Sequence, residues 1–126
     1  HIGFLSSDHQ HESTKERLLG FRKAIESNRL TVNENWVLDG KYSFESGVEG
    51  ANKLIAMKNR PSAIVACNDE IAAGALFAAR LAGLDIPKDL SIVGFEDFNN
   101  RKCFSRYLID GIPFTDYSTT LSVEVH

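Results

Sequence analysis

Polar side chains in this sequence gather in short clusters, each directly after an apolar run. Ser6, Ser7 and Asp8 follow Ile2-Gly3-Phe4-Leu5, with Ser13 and Arg17 a little further on. Asp39, Lys41 and Tyr42 follow Trp36-Val37-Leu38, and Asn68-Asp69 follow Ala63-Ile64-Val65-Ala66-Cys67. Glu96-Asp97 close the run from Leu90 to Phe95. Hydroxyls, amides, carboxylates, a guanidinium and an aromatic ring are the groups that hold a hydroxyl-rich ligand. Each hydroxyl of such a ligand takes a donor and an acceptor, and an apolar ring face packs on an aromatic. Other chemistry finds less to stand on. No GxxxxGK[ST] or GxGxxG offers a phosphate cradle, so no nucleotide cofactor is expected. No GxSxG offers a nucleophile elbow. His9, His11 and Glu12 have weak metal-ligand spacing, and no metal is expected there. A phospho-acceptor site would need an acidic pair after the first apolar run, where only Asp8 stands behind Ser-Ser. Cys67 and Cys103 are read as reduced thiols of a reducing, cytoplasmic compartment rather than as a disulfide or zinc framework.

The elements that must position these clusters can be read from periodicity. Ile2–Leu5 is a strand. A helix follows, capped by Ser13 or Thr14, with Leu18, Phe21 and Ile25 on one face and Leu19 and Ala24 beside them. Gly20 costs that helix about 1 kcal/mol of propensity, which close packing against a neighbour would excuse. Asn28 to Asn35 is a polar loop, and Trp36-Val37-Leu38 a second strand. Asp39 to Ser43 turns into a helix over Phe44 to Lys58, with Val48, Ala51, Leu54 and Ile55 inward. Ala63 to Cys67 is apolar without alternation, as a parallel strand covered on both faces should be. Asn68-Asp69 offers the N-cap of a helix over Ile71 to Leu81; Asp69 is read as that cap, and Asn68, without a capping duty, is open equally to a structural and a ligand-facing role. Gly83 closes the helix as its C′ residue. Leu90 to Phe95 is a fourth strand.

Strands alternating with helices at these spacings predict right-handed crossovers and an α/β fold, an open parallel sheet with helices on both faces in three αβα layers. In such sheets the ligand crevice lies beyond the carboxyl ends of the strands, where all four polar clusters fall. Read by type alone, Arg17 is equally a solvated charge, Tyr42 a loop aromatic and Glu96-Asp97 a turn or cap. The length of 126 residues allows one domain. Hydrophobic residues at 43% and charged residues at 25% exclude disordered and collagen-like classes. No apolar run approaches the length of a membrane span. Fourteen basic against seventeen acidic side chains leave a formal charge of −3. That balance argues against DNA binding by this stretch itself, since such binding uses a basic surplus. The chain opens at His1 inside an apolar run, which suggests a piece of a longer protein.

Arg17-Leu18-Leu19-Gly20-Phe21, the block Ala63 to Gly74 (AIVACNDEIAAG) and the block Ala82 to Asp97 (AGLDIPKDLSIVGFED) carry a resemblance. With the opening HIGFLS and the spacing between blocks, residues 1–97 resemble the LacI/GalR family of bacterial transcriptional repressors, in the C-terminal lobe of their periplasmic-binding-protein-like effector domain. The resemblance implies a small-molecule effector, a sugar or related polyol, contacted by Ser13, Arg17, Tyr42, Asn68 and Glu96. Tyr42 would be a stacking aromatic and Asn68 an effector amide. Glu96 stands where most members carry an Asp. The resemblance also implies a homodimer, operator DNA bound only through a headpiece absent here, and no catalysis. Two alternatives stay open: a solute-binding protein of a sugar transporter, and a doubly wound enzyme. The family usually reaches a Leu-Thr-Thr strand about ten residues after the last block. Here Ser118-Thr119-Thr120-Leu121 comes only after Phe98 to Tyr117. Residues 98–126 are therefore expected to be an atypical tail, holding either an inserted loop near the cleft or an altered C-terminal reading, with Leu121 to Val125 alternating like an edge strand.

Overall fold

A computed structural model describes residues 1–7, 12–86, 88–98 and 101–105, and for residues 95–98 and 101–105 it describes the backbone. The order is β1 (Ile2–Leu5), α1 (Glu12–Ser27), a 3₁₀ turn (Glu34–Trp36), β2 (Val37–Leu38), α2 (Phe44–Ala56), β3 (Ala63–Ala66), α3 (Asp69–Leu81), β4 (Ser91–Phe98) and β5 (Arg101–Ser105). The sheet runs β2-β1-β3-β4-β5. β1 pairs in parallel with β2 and β3, and β3 with β4, in the register Val65↔Val93. β5 pairs antiparallel with β4.

The alternation of β1 assigns the layers. Phe4 meets Phe21 of α1 at a ring distance of 4.9 Å. Gly3 and Leu5 point the other way, Gly3 against Leu54 and Leu5 against Gly50, both on α2. α1 thus covers one face, and α2 with its neighbour α3 covers the other, as right-handed crossovers require. β3 is buried along its whole length, which explains its lack of alternation.

α2 and α3 cross through a reciprocal pair of glycines in their early turns. A Cβ on Gly47 would overlap the Ile71 carbonyl oxygen, and one on Gly74 would overlap that of Phe44. Only hydrogen at these positions lets the two backbones touch. α3 ends as the sequence predicts: Gly83 takes φ +81°, and Gly83 N–H and Leu84 N–H donate to the carbonyls of Arg80 and Ala79, each at 3.0 Å. This is the Schellman closure.

Several expectations are corrected. α1 begins at Glu12, so Ser13 and Thr14 lie inside its first turn rather than capping it. Gly20 is exposed, and a Cβ there would meet nothing within 4 Å, so packing does not explain it. Leu19 is exposed rather than inward. Trp36 belongs to the 3₁₀ turn, α2 ends two residues early at Ala56, and β4 runs on to Phe98. The antiparallel β5 was not read from the sequence, because Arg101 to Ser105 carries no period-2 alternation. Asp8, His9 and His11 lie outside the described residues, as do Phe98-to-Tyr117 beyond Ser105 and the strand expected at Leu121 to Val125.

Candidate functional site

The first turns of α1 set the floor of the site. Thr14, Phe21 and Ile25 share the buried stripe of that helix, and Ser13 and Arg17, four residues apart, share the adjoining one. Thr14 is fully buried and lies between two partners, Ser7 Oγ at 2.8 Å and Tyr42 Oη at 2.5 Å. Arg17 Nη1 donates to the Cys67 carbonyl at 2.8 Å, tying α1 to the end of β3. Arg17 is therefore a half-buried bridge, not a solvated charge.

Tyr42 enters from the β2–α2 connection. Ser43 caps α2 by accepting from Ser46 N–H at 3.1 Å, and Ser43 N–H donates to the Lys41 carbonyl at 2.9 Å. That turn delivers Tyr42 across the sheet edge to α1. Its phenol meets Ser13 Oγ at 3.4 Å as well as Thr14, and the Cys67 thiol donates to it at 3.6 Å. The phenol oxygen is thus engaged inward, and what the residue offers a ligand is its ring.

Asn68 carries a second duty. Its Oδ1 accepts from Ile71 N–H at 2.9 Å, so Asn68, not Asp69, is the N-cap of α3. The expectation that this amide has no capping role is corrected: an Asn ahead of an acidic first turn is a preferred cap. Its Nδ2 donors are not consumed by the cap. Asp69 lies over β4, where a Cβ on Gly94 would overlap its Oδ1. This close approach explains the glycine in Ile92-Val93-Gly94.

Four of the five sequence-derived site residues, Ser13, Arg17, Tyr42 and Asn68, therefore converge around Cys67 at one edge of the sheet. Glu96 is placed by its backbone. It lies inside β4, paired with Cys103 of β5 rather than in a turn. β4 is the parallel neighbour of β3, which ends two residues ahead of Asn68. Thr14 and Cys67 are not picked out as site residues by the sequence, which offers Thr14 as a cap and Cys67 as a reduced thiol. The signal available was Thr14 falling on the stripe of Phe21 and Ile25. Among the described residues, no group of three or more His, Cys, Asp or Glu could hold a metal ion, and no helix is long and apolar enough to cross a membrane.

The sequence pattern of the periplasmic binding protein-like domain matches residues 1–105. The chain belongs to that family. It is similar to the HTH-type transcriptional repressor PurR of Photobacterium profundum, 41% identical over 104 residues, covering 82% of this chain and 31% of that protein. It is also similar to the ribose operon repressor of Haemophilus influenzae, 35% identical over 107 residues, covering 85% of this chain and 31% of that one. A sugar-binding transcriptional regulator of the LacI family from Escherichia coli, solved with phosphate, superimposes with a TM-score of 0.72 at 34% identity, covering 78% of this chain and 35% of that chain. The LacI/GalR resemblance and the parallel α/β fold expected from the sequence both hold. This chain corresponds to part of the periplasmic-binding-protein-like domain of LacI-family proteins, and these relatives are transcriptional regulators. It spans about a third of the length of these relatives.

Proposed function

We propose that this chain is the effector-sensing C-terminal lobe of a LacI-type repressor whose effector is a sugar or related polyol. Ser13, Arg17, Tyr42, Asn68 and Glu96 are its contacts. The observation that carries the reading is the convergence of hydroxyl, guanidinium, aromatic ring and amide at the carboxyl ends of β1, β2 and β3, where an open sheet holds ligands. The ring of Tyr42 suits the apolar face of a sugar, and the Asn68 donors and the Ser13 hydroxyl suit its rim. Two relatives point the same way by name, one a ribose operon repressor and one a sugar-binding regulator.

In this reading the lobe is the sheet from β1 through β5 with α1, α2 and α3, so the boundary expected after residue 97, which would cut β4, moves past Ser105. The effector lies between this lobe and a second one and favours one angle between them. Headpiece spacing in a cytoplasmic homodimer then matches or misses the operator half-sites. The lobe contributes no catalysis and meets operator DNA only through that headpiece. The dimer surface is assigned to the exposed apolar side of α2 and α3, where Phe44, Phe77 and Leu81 are 39%, 48% and 73% exposed. Phe44 and Phe77 touch at a ring distance of 5.6 Å.

The test is calorimetric titration of the full-length protein with D-ribose, cellobiose and hypoxanthine, a flat base that would also stack on Tyr42. Each run is paired with operator retardation. Saturable binding of a sugar, with changed operator affinity and no turnover, supports the reading. Binding of hypoxanthine alone replaces the sugar with a base, and turnover of the sugar replaces the sensor with an enzyme.

A further inference from the structure

The floor of the site contains a closed ring of four hydrogen-bonding groups from four segments of the chain. Ser7 comes from the end of β1, Thr14 from α1, Tyr42 from the β2–α2 connection and Cys67 from the end of β3. The Cys67 thiol donates to Tyr42 at 3.6 Å, Tyr42 and Thr14 are 2.5 Å apart, Thr14 and Ser7 are 2.8 Å apart, and Ser7 lies 3.8 Å from the Cys67 sulfur. Each group carries one hydrogen, so one sense of circulation lets all four donate once and accept once. Ser7, Thr14 and Cys67 are fully buried, and Tyr42 is the member of the four that is partly exposed. Hydrogen bonds to sulfur are weak, so the two oxygen–oxygen links, which meet at Thr14, hold the ring together.

We propose that Thr14 is a positioning residue that fixes the Tyr42 ring as a rigid platform at the cleft and thereby sets the plane on which a cyclic effector stacks. The proposal rests on the effector reading above only for the ligand, because the platform exists without one. A tyrosine held at its phenol by a buried partner presents its face with its ring torsion already fixed. The effector then does not have to order it on binding. The expected signature is that Thr14 and Tyr42 act as one unit: removing either hydroxyl breaks the same short hydrogen bond and loosens the ring, although the longer contacts of the phenol to Ser13 and the Cys67 thiol remain in Thr14→Val.

The experiment compares wild type, Thr14→Ser, Thr14→Val, Tyr42→Phe and the Thr14→Val/Tyr42→Phe double variant of the full-length protein. Ring-labelled tyrosine is followed by NMR without ligand, and D-ribose, cellobiose and hypoxanthine are titrated separately. Three tyrosines are present, and Tyr42→Phe identifies the relevant signal. Thr14→Val should move the Tyr42 resonance and weaken the bound probe roughly five- to tenfold, the value of one buried hydrogen bond. Thr14→Ser should preserve both. The double variant should bind no worse than the weaker single variant, since both changes remove one interaction. An unmoved Tyr42 resonance in Thr14→Val, loss of binding in Thr14→Ser equal to that in Thr14→Val, or additive losses in the double variant would each overturn the proposal. If wild type binds none of the three probes, the effector reading fails, and the ligand-free Tyr42 resonance still decides the role of Thr14.

Discussion

Replacing Gly74 by alanine adds one methyl group at the point where α2 and α3 touch. A Cβ there would lie 2.9 Å from Val48 N and 3.0 Å from the Phe44 carbonyl carbon, and would overlap the attached oxygen. These are backbone atoms that no rotamer change can move. Ordinary contact between carbons is about 3.5–4.0 Å, and the overlap with the oxygen is deeper still, so the helices must part by roughly 1 Å, which forfeits about half of the dispersion energy of the contacts opened. Overpacking of this kind costs about 1–3 kcal/mol or more, against a helix-propensity gain of at most about 1 kcal/mol. We expect Gly74→Ala to lower stability by about 2 kcal/mol, read as a shift in the urea midpoint at constant m value. Gly20→Ala is the matched control. Its Cβ meets nothing within 4 Å on an exposed helix face, so it should stabilise by about 0.5–1 kcal/mol. Because one separation relieves both clashes, the Gly47→Ala/Gly74→Ala double variant should cost less than the sum of the singles. If Gly74→Ala matched Gly20→Ala in sign, the glycine crossing would not exist as described.

Asn68→Ala should lose about 1 kcal/mol through the missing cap. Asn68→Asp keeps the acceptor and the favourable charge at the start of α3, so it should hold its urea midpoint while binding effector more weakly; unchanged affinity would take Asn68 out of the site. The Arg22 guanidinium reaches both carboxylate oxygens of Glu34, at 2.6 and 2.9 Å, and this hydrogen bond holds the Glu34 carboxyl below its usual range. A lowered folded value stabilises above the unfolded carboxylate value, and the contribution is lost as pH falls through the folded one. The stability gap between wild type and Glu34→Gln should therefore be open at pH 7 and close in acid; a gap that widened in acid would refute the pairing. Phe77→Glu with Leu81→Glu should give a monomer by sedimentation if α3 forms the dimer surface; an intact dimer would place the interface elsewhere.

Much of this fold is legible because its signals are local. The unalternating run of β3 announces a strand covered on both faces, and Gly83 announces the end of α3 by the backbone angle it alone adopts easily. The strand-end rule gathers Ser13, Arg17, Tyr42 and Asn68 from their spacing alone. What escaped depends on partners distant in sequence. Nothing near Thr14 says that its hydroxyl faces Ser7 and Tyr42 rather than the helix terminus. Asn68 and Asp69 are both good caps, and one residue of phase decides between them. Gly20 looks like a packing glycine and is not, whereas Gly47 and Gly74, unremarked in the sequence, meet backbone across a helix interface. β5 is antiparallel, and parallel-sheet spacing has no sign for it.

The glycine crossing also bears on how the rim responds to load. Tyr42 stands just ahead of α2 and Asn68 just ahead of α3, and the two helices are clamped within their opening turns by Gly47 against Ile71 and Gly74 against Phe44. A pull on either side chain is borne by both rods together. The rim therefore keeps its spacing and travels as a stiff plate, leaving the bending to segments outside that clamp.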